Sequence, residues 1–331
     1  MIEPSCRTAC RDHGVDLGDQ VVGTGGCAIV VRGCTLAPLG SHGRGVPVAV
    51  KIMSRAANRA CRLQAELSAL IELHEHRNIV DFHKTFQSAD GCHVMAVLQL
   101  AKGDLFSILA TDGCFSEDAA RQHFSQILQG LAYIHSRHWA HRDMKLENIL
   151  HCEDGIDATD KITDFGFACR QGPSSLSSGR VGTPQYMAPE VVMAASAHDV
   201  TLAQTGGHLG QRQQSDGKCY DGKAADIFAC GVMLFAMLLG EYPFKIRSAS
   251  QNFTRPVAVW PNLEAALSEE AKDLVERMTA CNPAKRPTAH QLQDDPWLQN
   301  KHRGQLGSLP TPESPTFPTP ESPTSTTLNR R

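Results

Sequence analysis

Two groups of residues near the start of this chain have types and spacings suited to holding phosphates. Val22-Gly23-Thr24-Gly25-Gly26-Cys27-Ala28-Ile29-Val30 sets glycines between two short apolar runs. A hairpin tip that lacks side chains can lie flat over triphosphate oxygens, with backbone N–H groups directed at them. Glycine-rich hairpins are common, so this run decides nothing alone. Next, Val48-Ala49-Val50-Lys51 puts a lysine at the end of an apolar strand, and a buried ammonium needs a partner. Glu66, in the helical segment Arg62-Leu63-Gln64-Ala65-Glu66-Leu67, supplies one. Such a pair would hold the lysine toward the α- and β-phosphates of a nucleotide. Read without the rest of the chain, both could equally be surface charges.

The rest of the chain decides. His141-Arg142-Asp143-Met144-Lys145-Leu146-Glu147-Asn148-Ile149-Leu150 is followed by Asp164-Phe165-Gly166 and then by Gly182-Thr183-Pro184-Gln185-Tyr186-Met187-Ala188-Pro189-Glu190. Each alone is compatible with a solvated turn, and Asp143 and Asp164 with a paired structural carboxylate. In this order, downstream of the glycine run and Lys51, they resemble the eukaryotic protein kinase family over roughly residues 17–298. The resemblance implies transfer of the γ-phosphate of ATP, a reaction accelerated mainly by positioning and charge neutralisation. Asp143 would accept or orient the proton of the attacking hydroxyl, and Lys145 would neutralise charge on the moving phosphoryl group. Asn148 and Asp164 would offer oxygen ligands to Mg²⁺, with Mn²⁺ as a substitute. The ATP contacts implied are Val22, Gly23, Thr24, Gly25, Gly26, Cys27, Ala28, Val30, Ala49, Lys51, Glu66, Gln99 and Leu100. Ala28 departs from the family pattern, which has a third glycine there; its methyl group stiffens the loop. Phe165 is expected to pack between the helix of Glu66 and His141.

Lys145, with Thr183 shaping the hydroxyl site, looks like the serine/threonine pattern. Tyr220-Asp221-Gly222-Lys223-Ala224-Ala225-Asp226-Ile227-Phe228 and Leu239-Gly240-Glu241-Tyr242-Pro243-Phe244 are similar to the calmodulin-dependent and AMP-activated kinase group, with Phe228 where that group has tryptophan. The resemblance pairs Arg286 with Glu190 as a structural ion pair. Glu147 sits where basophilic members carry an acid, which implies protein substrates with arginine a few residues before the target Ser or Thr. Gly179 stands where the family carries an activating threonine. Arg142 often waits for an activating phosphate in this family, so Ser174, Ser175, Ser177 and Ser178 are candidates for an upstream kinase, Ser178 nearest the expected place. A merely flexible Ser/Gly loop is the alternative. A scaffold-type pseudokinase is disfavoured because the lysine and both aspartates are present. A small-molecule phosphotransferase is disfavoured by Ala188-Pro189-Glu190 and Thr183.

These residues must be positioned by an α+β fold with two lobes. Short β-type runs with glycine turns (Leu17–Val22, Ala28–Cys34, Val46–Met53, Val94–Leu100) and one helix, Arg59–Leu73, make a small lobe over about residues 17–100. Helical patterning at Glu117–Ser136, Asp226–Leu239, Ser268–Ala280 and Thr288–Asp294 makes a larger lobe over about residues 101–298. Residues 1–16 read as an extension, and residues 194–219 as a loop insertion of about two dozen residues. Residues 299–331 read as a disordered Pro/Ser/Thr-rich tail in which Pro-Thr-Pro-Glu-Ser-Pro-Thr begins at Pro310 and again at Pro318. The tail's Thr311, Ser314, Thr319 and Ser322 each precede proline, as in proline-directed phosphorylation sites. No basic amphipathic helix follows the domain, so a calmodulin-regulated tail is not supported.

With 331 residues, 41% of them hydrophobic, the chain can bury a large core. The net charge of −3 gives no electrostatic reason for nucleic-acid or anionic-membrane partners. Met1–Asp19 has no apolar signal region, and the longest apolar stretch, Ile227–Gly240, at about 14 residues is too short to span a bilayer. Twelve scattered cysteines without a CxxC pair argue against a zinc cage and for a reducing compartment, the cytosol or nucleus. A monomer is expected.

Overall fold

A computed structural model of the chain describes residues 2–25, 28–36, 45–56, 60–154, 157–172, 176–179, 181–194, 219–244 and 267–299. Gly26, Cys27, Ser174 and Ser175, the insertion apart from Ala194 and Cys219, and the tail apart from Gln299 lie outside these described residues.

The first helix, α1 (Pro4–Asp12), precedes a five-stranded antiparallel sheet. Its strands are β1 (Val15–Thr24), β2 (Ala28–Thr35), β3 (Pro47–Ser54), β4 (Phe82–Gln87) and β5 (His93–Gln99), in the order β1-β2-β3-β5-β4. Helix α2 (Ala60–Leu73) connects β3 to β4. Side chains alternate across a strand, and here both faces are covered. Ala49, Met53, Val94, Ala96 and Leu98 share one cluster with Leu63, Leu70 and Leu73 of α2. Val48, Val50, Ile52, Met95 and Val97 turn the other way, against Cys6, Ala9 and Cys10 of α1. This is why β3 and β5 read as near-continuous apolar runs rather than as alternating ones. The segment read as a plain extension thus contains a helix that roofs the outer face of the sheet.

The larger lobe is built on α3 (Leu105–Asp112), α4 (Glu117–Ser136), α5 (Gly222–Leu239) and α6 (Glu269–Met278). Sequence periodicity starts α5 at Asp226, whereas the structure starts it at Gly222. The reason is a cap: the Asp221 carboxylate accepts from the N–H groups of Lys223 (2.9 Å) and Ala224 (3.3 Å). Gly240, at φ 69°, ends the helix in the left-handed conformation that glycine tolerates best. α5 has the length and apolarity of a membrane span, but it is the buried core helix of this lobe. Glu117 ties the lobe together, accepting from Ser268 N (2.6 Å), Ser268 Oγ (2.8 Å) and Trp297 Nε1 (2.9 Å).

Candidate active site

A hairpin of β8 (Ile149–Asp154) and β9 (Asp157–Ile162), flanked by the short strand β6 (Gly103–Asp104), delivers two of the chemical groups side by side. Its register opposes Ile149 to Ile162, so Asn148 and Thr163 leave the same end, joined by Thr163 N–H to Asn148 O at 3.0 Å. Asp164 follows at once. A second short pairing, β7 (Trp139–Ala140) with β10 (Cys169–Arg170), folds the chain after Gly166 back beside the loop 141–148.

Within that loop every catalytic candidate has a partner. The Thr183 hydroxyl donates to Asp143 Oδ1 at 2.9 Å and accepts from Lys145 Nζ at 2.9 Å. Lys145 Nζ lies 3.1 Å from Asp143 Oδ2. Asn148 Nδ2 donates to Asp143 O (2.8 Å) and Oδ2 (3.2 Å), which turns its amide oxygen away from Asp143. Asp143 N–H donates to His141 Nδ1 (3.3 Å), so the ring proton sits on Nε2 and goes to Thr163 O (2.9 Å). Phe165 is fully buried with its ring centroid 5.2 Å from that of His141, as expected.

From the small lobe, Lys51 on β3 reaches Glu66 on α2 in a short ion pair and Asp164 Oδ1 at 2.7 Å. Burial alone would lower the Lys51 ammonium, but the carboxylates of Asp164 and Glu66 reverse this and hold it raised. Burial would conversely raise Asp164, yet Lys51 beside it holds its carboxyl at about 2. The site therefore keeps an ionised carboxylate and a charged lysine together over the whole physiological range. An ionised carboxylate beside a free amide oxygen is a donor set that fits a hard divalent cation. Gly166 is where a side chain would crowd the set: a Cβ there would lie 3.3 Å from Asp164 Oδ1 and 3.4 Å from Glu66 Oε2.

Among the described residues, three non-glycine residues have positive φ: His138 (61°), Arg142 (65°) and Asp164 (63°). Each such conformation costs on the order of 1–3 kcal/mol and persists only where surroundings over-determine it. Asp226 is what holds the second. Its buried carboxylate accepts from His141 N (2.8 Å) and Arg142 N (2.7 Å) and meets His135 Nε2 at 3.0 Å. No local spacing assigns Asp226 a role. Its signal was a lone carboxylate inside the apolar run Ala224–Cys230, since a buried acid needs partners.

The remaining candidates fall as follows. Gly25 N–H closes onto Ala28 O at 2.8 Å beyond Val22, Gly23 and Thr24, while Val30 pairs with Lys51 across β2 and β3. Ala49 faces the α2 side, and Gln99 with Leu100 leads from the end of β5 into the link between lobes. Glu147 lies partly buried within the loop, and burial pushes its carboxyl up. Arg286 is fully buried and forks onto Glu190 with contacts of 2.6 and 2.8 Å. The two described serine candidates part company. Ser177 is 4% exposed and bridged to Tyr220 through both backbone groups (2.8 and 2.9 Å). Ser178 is exposed, with its carbonyl 3.4 Å from Arg142 Nη1.

Residues 18–298 match the protein kinase domain family. Among curated relatives, the chain is 34% identical to serine/threonine-protein kinase SAPK9 of Oryza sativa subsp. japonica over 259 residues, 76% of this chain and 64% of that protein. It is 34% identical to SAPK2 of Oryza sativa subsp. indica over 257 residues, 76% of this chain and 68% of the relative. With SRK2E of Arabidopsis thaliana it shares 33% identity over 259 residues, 76% of this chain and 64% of the relative. The chain thus spans just under two thirds of the length of SAPK9 and SRK2E.

Proposed function

Since the chain belongs to the protein kinase family, we propose that it transfers the γ-phosphoryl group of ATP to serine and threonine hydroxyls of other proteins. The observation that carries this reading is the closed triangle of Asp143, Lys145 and Thr183, with sides of 2.9, 2.9 and 3.1 Å. An acceptor hydroxyl placed beside Asp143 gives its proton to that carboxylate as its oxygen bonds the γ-phosphorus. The bond from that phosphorus to the bridging oxygen breaks, and ADP leaves. Lys145 offsets the charge on the moving group, and Thr183 holds both partners in register. The family uses a divalent cation; bound as Mg²⁺, with Mn²⁺ as substitute, by Asp164 and Asn148, it neutralises phosphate charge. Lys51, held in place by Glu66, would orient the α- and β-phosphates. The test is transfer of labelled γ-phosphate to matched peptides carrying Ser, Thr or Tyr. Labelling of Ser and Thr alone is expected; labelling of Tyr, or of none, overturns the reading.

For substrates we infer a preference for arginine ahead of the target, read by Glu147. One charge-assisted hydrogen bond is worth about 1.5–3 kcal/mol, so Glu147→Gln should lower kcat/KM for an arginine-bearing peptide roughly tenfold relative to its alanine counterpart. An unchanged ratio removes Glu147 from substrate recognition.

Ser178 is the proposed target of an upstream kinase. A phosphate there would meet the Arg142 guanidinium, whose Nε already donates to Phe167 O at 2.7 Å, and would order the segment after Asp164. Phosphatase treatment should lower kcat of the active protein about tenfold or more, as switch-loop ordering does, and the Ser178→Ala chain should not respond. An equal response from Ser178→Ala would discard the switch. We further propose a reducing compartment, the cytosol or nucleus, which twelve scattered cysteines without a CxxC pair support, and a chain that acts as a monomer.

A further inference from the structure

Away from the catalytic loop, three elements bring one carboxylate and two imidazoles to a single point. Asp160 of β9 is buried, and its carboxylate has no exposed surface. Its Oδ2 lies 2.6 Å from His123 Nδ1 of α4, and its Oδ1 lies 2.9 Å from His151 Nδ1 of β8. The backbone of Asp160 is fixed on both sides: its N–H donates to Gln126 Oε1 (3.1 Å), and its carbonyl accepts from Asn78 Nδ2 (2.9 Å). Among the described residues its only ion-pair partners are these two histidines. A buried carboxylate is costly in a low dielectric unless its charge is met.

We propose that His123, His151 and Asp160 form a binding site for a divalent first-row transition cation of the Zn²⁺ type. Two imidazoles and one carboxylate are a ligand set such cations favour. The three ligand atoms lie within 4.8 Å of one another. Bonds of about 2.0–2.2 Å put tetrahedral ligands about 3.4 Å apart, so the two rings must swing outward by less than about 1 Å. They have room, because the His123 and His151 side chains are 21% and 22% exposed on the solvent side. That side also leaves a fourth position for water. On binding, each Nδ1 gives its lone pair to the cation, and the proton it carried goes to Nε2 of the same ring or to water. The cation supplies the charge that Asp160 lacks and pins α4 to the hairpin that ends at Asn148 and Asp164.

The test uses the full chain carrying Asp164→Asn, which weakens the family's own cation position, titrated with Zn²⁺ and with Co²⁺. One equivalent should bind and raise the Tm, and either His123→Gln or His151→Gln should weaken binding at least tenfold. Binding unchanged in both histidine variants, or no binding at all, overturns the proposal. Should a variant misfold, ring nitrogen NMR of the unaltered histidines decides. Two Nδ1 resonances should shift with one equivalent of Zn²⁺, and a spectrum that does not move refutes the site.

Discussion

Asp143→Asn should lower kcat for phosphoryl transfer by roughly 10²–10⁴-fold, the usual worth of a positioned general base, while the KM for ATP stays close to that of the parent. The geometry explains why the fold should tolerate the change. Asp143 Oδ2 faces two donors, Lys145 Nζ and Asn148 Nδ2, whereas Oδ1 faces a hydroxyl. An asparagine can keep its oxygen toward the two donors and turn its amide toward Thr183, whose hydroxyl then accepts instead of donating. The hydrogen bonds survive, while the capacity to take a proton and the negative charge facing Lys145 are lost. Steady-state kinetics beside a thermal melt separates the two. A kcat within tenfold of the parent would mean that Asp143 does not serve as the base, whatever the residue's place in the family pattern.

Arg286→Met should remove about 3–5 kcal/mol of stability, the cost of leaving one member of a buried ion pair behind. Arg286 is fully enclosed, forks onto Glu190, donates to Ala224 O (2.9 Å) and Ala280 O (2.8 Å), and lies 5.0 Å from the Phe228 ring centroid. One side chain thus joins the segment after Thr183, the start of α5 and the chain beyond α6. Whole domains hold only about 5–15 kcal/mol, so the single variant should melt many degrees lower. Removing the orphaned charge as well, in Glu190→Leu with Arg286→Met, should restore part of the loss. Denaturant melts of the parent, both singles and the double variant give the coupling directly. A loss under about 1 kcal/mol in Arg286→Met alone would place the pair among the negligible surface contacts.

Local order in the chain made the centre of this site legible. Lys51 sits in an apolar strand and Glu66 in the next helix, and the structure joins them; Asp143, Lys145 and Asn148 share one short loop and needed no topology to be grouped. What stayed hidden depended on distant partners. Asp226 acts through backbone N–H groups some eighty residues earlier in the chain, which no local spacing announces. Ser177 and Ser178 are neighbours of equal chemistry, and only the backbone bridge to Tyr220 buries one and leaves the other at the surface. His123, His151 and Asp160 lie on three elements, and the hairpin register that opposes His151 to Asp160 is what assembles them. The roofing helix α1 did leave a trace, in strands apolar on both faces, but a strand pattern says that a cover exists and not which segment provides it.

That roof separates two units that are easily equated. The match to the protein kinase domain family opens at residue 18, inside β1 and after α1. A fragment cut there would carry every group named in the chemistry, yet Val31, Val48, Val50, Ile52, Met95 and Val97 would lose the helix packed on them. Contiguous bare apolar surface of that kind invites self-association. For this protein, the portion that matches the family is shorter than the portion that covers its own sheet, and a fragment begun at residue 18 should self-associate more than the whole chain.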